Sequence, residues 1–80
     1  MFLNVTQKNV LRALAENKNK WMTVEDIYKI CLKSKHKVNR SNIGRSLNFF
    51  VENNLITKPN SQGKVKITQA GIDVFTQEVI

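Results

Sequence analysis

The sequence has little of what staples, breaks or anchors a chain. A single cysteine, Cys31, excludes an internal disulfide. A single histidine, His36, excludes an ordinary His/Cys zinc site, which needs four ligands. The three glycines, Gly44, Gly63 and Gly71, are too dispersed to form a phosphate-cradling loop. Apolar runs stop at three residues, as in Phe49-Phe50-Val51. A membrane span needs about 20 such residues and a secretory leader about 7–15. The chain is therefore expected to be neither secreted nor membrane-spanning, and to be cytoplasmic. Acidic side chains are also scarce, six in all, and the only adjacent pair, Glu25-Asp26, is accounted for by helix capping. With Cys31 on an apolar helical face and His36 lacking a carboxylate or thiol partner, no catalytic constellation forms. The expectation is a protein that is not an enzyme and needs no cofactor or metal, with no small-molecule ligand evident.

What is present is apolar pattern and positive charge. Eighty residues with 41% hydrophobic content suit one small domain, residues 1–80, with a core of its own. Thirteen Lys and Arg against six Asp and Glu give +7, which points to a polyanionic partner, nucleic acid above all. The charge is segregated. Residues 1–26 carry a net +1, residues 27–72 a net +8 with Glu52 as the sole acid, and residues 73–80 a net −2. A surface that served solubility alone would intersperse both signs.

The pattern predicts four helices and a hairpin. Thr6 reads as the cap of a first helix reaching about Lys18, with Val10, Leu11 and Leu14 on its buried face. Lys20-Trp21-Met22 suits a short strand, with Trp21 packed in the core or on that strand. Thr23 caps a second helix whose first turn holds Glu25 and Asp26. Its apolar residues Val24, Ile27, Tyr28, Ile30, Cys31 and Leu32 should be largely buried. A polar turn, residues 33–40, leads to a third helix that starts at either Val38 or Asn42, with Ser41 as a good cap. Ile43, Leu47, Phe50 and Val51 form its core stripe, and Asn53-Asn54 ends it. Leu55–Lys58 and Lys64–Ile67 read as two strands around the turn Pro59-Asn60-Ser61-Gln62-Gly63. Thr68 then caps a fourth helix with Ile72, Phe75 and Val79 on one side.

Two stretches carry a family likeness. Asn42-Ile43-Gly44-Arg45-Ser46-Leu47 runs on to Asn54-Leu55-Ile56, and Ile67-Thr68-Gln69-Ala70-Gly71 forms a hydrophobic-Thr-x-x-Gly step. Over about residues 6–75 the chain resembles the winged helix-turn-helix domain of small prokaryotic and viral transcription regulators. The resemblance implies an α+β, mostly helical fold with a three-helix core, a β-hairpin wing and a C-terminal helix. The helix-turn-helix would span about 23–53, the wing about 55–67 and the last helix about 68–80. Two departures stand out: the turn before the third helix is long, and no Arg occupies the wing tip.

Helical spacing singles out the face of the third helix opposite Ile43, Leu47 and Phe50. There Asn42, Arg45 and Ser46 are candidate base readers, since Asn pairs with adenine, Arg with guanine, and Ser with either. Lys35, His36, Lys37, Arg40 and Ser41 lie before or at the start of that helix, beside phosphates. Lys58, Lys64 and Lys66 would do the same from the hairpin. Phe49 shares the exposed face; cover by a neighbouring element or a partner subunit is favoured over contact with a thymine methyl. Gly44 is better explained by close packing on the second helix than by close approach to DNA.

The reading is a double-stranded DNA-binding transcription regulator, nucleoid-associated, with the helix 41–53 in the major groove and the wing 58–66 on the backbone or minor groove. A homodimer is expected through Phe2, Leu3, Phe75, Val79 and Ile80. The alternatives are a winged-helix adaptor for protein partners and an RNA-binding module. The adaptor leaves the charge between residues 27 and 72 without a purpose. RNA binding lacks an aromatic pair on a strand surface.

Overall fold

A computed structural model describes all residues, Met1–Ile80. Four helices follow in order: α1 (Val5–Ala15), α2 (Val24–Cys31), α3 (Arg40–Glu52) and α4 (Gln69–Glu78). Helix α1 is the central element, packing against α2, α3 and α4, while α2 also packs against α3. No helix is long and apolar enough to cross a membrane.

Each helix starts at a residue whose side chain closes the first turn. Helix α1 is capped by Asn4 and not by the expected Thr6. The Asn4 side chain accepts from the Gln7 amide at 2.8 Å, and the Gln7 side chain accepts from the Asn4 amide at 2.9 Å. Both Asn and Thr cap well, so composition did not separate them; the returning Gln7 side chain does. The helix ends at Ala15, short of Lys18. Thr23 caps α2 as expected, with Asp26 completing the reciprocal pair. Asn39, not Ser41, caps α3 by accepting from the Asn42 amide at 2.8 Å. Ser41 therefore lies inside the first turn of α3. Thr68 caps α4 as expected.

The end of α3 shows why the sequence carries Asn53-Asn54-Leu55. Asn54 adopts φ +59, the left-handed conformation that ends helices. Its amide bonds to Val51 O at 3.1 Å, and the Leu55 amide reaches Phe50 O at 2.8 Å. Leu55 thereby enters the core beside Phe50. From there Leu55 O accepts from the Thr68 amide at 3.0 Å, joining the end of α3 to the start of α4. Gly71 lies over this joint. A Cβ on it would collide with the Leu55 carbonyl and the Ile67 side chain. The Ile67-Thr68-x-x-Gly71 step thus has a steric cause.

The core is a cluster of 17 residues centred on Val10, Leu11, Leu14, Ile27, Ile43, Phe50 and Val65. Most of the expected stripes are there. Leu32, however, is 43% exposed, because α2 ends at Cys31 and the chain turns outward. Trp21 is also 43% exposed, with the Lys66 ammonium 5.1 Å over its ring, so it is no core residue. Cys31 is a buried thiol whose S–H points to Asn9 O at 4.0 Å, and burial raises its pKa. Residues 55–67 fold back on themselves without forming regular strands. Two isolated bridges hold them: Ile56 opposite Ile67, and Met22 opposite Val65, both antiparallel.

Candidate nucleic-acid interface

The site grows from the turn between α2 and α3. Val38 is buried and anchors this turn from beneath, while Lys35, His36 and Lys37 stand exposed around it. The Ser34 hydroxyl holds the turn to α2, lying 3.0 Å from Cys31 O and 2.7 Å from His36 O. Arg40, in the first turn of α3, is not a free cation. It grips Glu25 of α2 with two hydrogen bonds of 2.7 and 2.8 Å, and its guanidinium lies 4.0 Å over the Tyr28 ring. The Arg40 hydrogen bonds hold the Glu25 carboxyl below its ordinary pKa, and the same contact pushes Arg40 further above its own. The Thr23 amide likewise lowers Asp26. Arg40 was expected at a phosphate; with a carboxylate already on its fork, its first role is to tie α2 to α3.

Along α3, Ile43, Leu47 and Phe50 face inward, and Arg45 and Asn42 turn outward. The Arg45 guanidinium leans on Asn42 Oδ1 at 3.5 Å, so these two candidate base readers share one patch. Ser46 does not stand beside them in solvent. It is only 5% exposed, because α1 passes over that side of α3. Phe49 is half-buried against the core, edge-on to Phe50 at 6.0 Å. The expectation for Gly44 is overturned. A Cβ there would meet nothing within 4 Å, so packing on α2 does not require glycine.

On the 55–67 segment Lys58 is exposed, and Lys64 and Lys66 are half-exposed. The Asn60 side chain sets the tip, accepting from the Gln62 and Lys64 amides at 2.9 and 3.0 Å. The expected dimer residues divide. Leu3 and Phe75 belong to the core, because α1 and α4 pack on each other and the Leu3 amide bonds Glu78 Oε1 at 2.9 Å. Phe2, at 99% exposure, and Ile80, at 84%, remain outside. Sequence reasoning missed the Glu25–Arg40 tie. It carries no sequence signal, since it depends on which helices meet.

The sequence model of the ferric uptake regulator family matches residues 3–72. The chain belongs to that family. Its fold is similar to that of the ferric uptake regulator from Francisella tularensis, solved with iron, at a TM-score of 0.74 and 17% identity. That likeness covers 86% of this chain and 55% of the other, so the chain spans about half of that regulator. No curated protein matches it. The iron is a property of that regulator's structure. Within these 80 residues, however, the donors for an ion do not come together. Cys31 is buried with its thiol turned to a carbonyl, His36 is exposed, and no three His, Cys, Asp or Glu side chains converge. The residues present do not fit a resident ion.

Proposed function

We propose that this chain is a double-stranded DNA-binding module of a transcription regulator, with α3 in the major groove. The observation that carries the reading is the exposed Arg45–Asn42 patch on α3, set within the part of the chain that holds its surplus positive charge. Arg45 suits a guanine edge and Asn42 an adenine edge. Lys35, His36 and Lys37 would stand beside phosphates at the start of α3. Residues 58–66 would act as the wing, with Lys58, Lys64 and Lys66 lying along the backbone or the minor groove. Membership of a family of regulators supports this over an adaptor or an RNA-binding role. Two copies would bind through Phe2, Val79 and Ile80, placing their α3 helices about one helical turn of DNA apart.

Binding measured against salt tests the reading. A chain that meets DNA through about six phosphates loses roughly a thousandfold in affinity between about 50 and 200 mM salt. Absence of any affinity for duplex at low salt would end it. Sedimentation showing only monomer, both free and on DNA, would end the two-copy arrangement.

A further inference from the structure

Two cations in this protein lie over aromatic rings, and they differ in what else holds them. The Arg40 guanidinium covers Tyr28, and its charge is already taken by Glu25. The Lys66 ammonium lies 5.1 Å over the Trp21 ring, and no carboxylate pairs with it. Backbone bonds fix both partners of this second contact. Met22 and Val65 exchange hydrogen bonds of 2.8 and 2.9 Å, which sets Trp21 alongside the chain at Lys66. The Lys66 amide donates to Thr57 Oγ1 at 3.0 Å, and the Lys66 carbonyl accepts from the Thr57 amide at 2.8 Å. Neither Lys58 nor Lys64 has its ammonium on a ring or a carboxylate. Trp21 is 43% exposed and does not pack against the buried core, so burial does not account for it. Lys20 and Lys29 lie on the surface beside it, where the one acid, Asp26, is committed to the Thr23 cap.

An aromatic face attracts an ammonium through its quadrupole and leaves the positive charge free to meet an anion. A carboxylate would hold the same group and cancel its charge, as Glu25 does for Arg40. A lysine with no seat gives up rotamer freedom when it settles on a phosphate. Lys66 has given up part of that freedom in the fold. We propose that Trp21 is a positioning residue, whose ring holds the Lys66 ammonium in place for one phosphate of the duplex backbone. Trp21 acts through Lys66 and does not itself touch the duplex. The inference rests on the DNA reading above and deepens it. It gives Trp21 a task at the base of the 55–67 segment and makes Lys66 a stronger contact than Lys58 or Lys64.

A double-mutant cycle tests it, with affinity for a random duplex measured across salt concentrations. The chains are wild type, Trp21→Leu, Lys66→Met and the pair. Methionine keeps an apolar stem on the ring and removes only the charge. Lys66→Met should flatten the salt slope by roughly 0.9, the loss of one phosphate contact. It should also cost more affinity than Lys64→Met. Trp21→Leu should weaken binding about threefold, the size of an exposed contact between a cation and a ring, and Trp21→Phe should restore part of that loss. Placed on Lys66→Met, Trp21→Leu should cause no further loss. Equal losses in both backgrounds would overturn the proposal, because Trp21 would then act without Lys66. Wild-type affinity in Trp21→Leu would overturn it too, as would Lys66→Met binding no more weakly than Lys64→Met; in each case the DNA reading stands. If the wild type binds no duplex at low salt, the two fall together. A second readout leaves Trp21 in place and so does not depend on how its variants fold. Trp21 is the sole tryptophan, so its emission reports the ring directly. Saturating duplex should shift that emission in wild type and leave it nearly unchanged in Lys66→Met. An unmoved emission in wild type, or an equal shift in Lys66→Met, would overturn the proposal.

Discussion

The α2–α3 joint and the 55–67 segment both carry lysine-rich surface, and they are held differently. The joint is tied by side chains: Asn39 caps α3, Arg40 grips Glu25 twice, and the Arg40 guanidinium covers Tyr28. The segment is tied mainly by backbone, with two isolated bridges along its length and one tight glycine contact at its base, and its side-chain bonds from Asn60 and Thr57 stay within the segment. The difference suits the two tasks proposed for these regions. A helix that reads bases must be fixed in orientation, because a hydrogen-bond pattern tolerates little displacement. A segment that follows phosphates can be looser, since its contacts are electrostatic and insensitive to sequence.

The largest expected effect breaks the segment at its base. Gly71→Ala forces a methyl group against the Leu55 carbonyl and Ile67, neither of which is a flexible side-chain end. We expect a loss of about 1–3 kcal/mol in urea unfolding, the usual cost of overpacking. The same substitution at Gly44 should do the reverse. There a Cβ meets open space in mid-helix, so Gly44→Ala should raise stability by about 1 kcal/mol. Destabilisation at Gly44 would mean that α3 packs more closely than its geometry indicates.

These two glycines also mark the limit of what the sequence discloses. Gly71 was legible through the family likeness of its hydrophobic-Thr-x-x-Gly step, although the Leu55 carbonyl that requires glycine lies outside that step. Gly44 was not, because the space beside a helix depends on which neighbour arrives there. The same distinction runs through the molecule. The Thr23 and Thr68 caps and the Asn53-Asn54 stop were readable from local chemistry. At α1 and α3 two good capping residues competed, and Asn4 and Asn39 prevailed over Thr6 and Ser41. Leu3 and Phe75 looked like interface residues because the first and last helices were the natural dimer surface, yet α1 and α4 pack together and bury them. Regular strands were expected from alternating apolar and basic residues at 64–67, and the chain forms only single bridges there. The candidate site was half readable: the spacing placed Asn42 and Arg45 together, whereas Ser46 disappeared beneath α1.

A smaller effect sharpens the contrast from the side of the joint. Glu25 and Asp26 both have pKa values lowered in the fold, Glu25 chiefly by the Arg40 hydrogen bonds and Asp26 chiefly by the Thr23 amide. A carboxyl with a lowered folded pKa stabilises the fold above its ordinary value, and that contribution disappears as pH falls through the folded value. The melting temperature should therefore drop on acidification below about pH 4. Glu25→Gln should shallow that acid limb and change little near neutral pH, because both partners are exposed and screened. An unchanged acid limb in Glu25→Gln would show that the ion pair does not stabilise the joint.

The central claim is that α3 reads bases while the lysines of the 55–67 segment add phosphate contacts and little sequence information. Affinities of Arg45→Ala and Lys64→Ala for a preferred and a random duplex, compared across salt concentrations, test it most directly. Arg45→Ala should narrow the gap between the two duplexes by about 1–3 kcal/mol. Lys64→Ala should weaken both about equally and flatten the salt slope by roughly 1. A discrimination gap preserved in Arg45→Ala and narrowed in Lys64→Ala would contradict it.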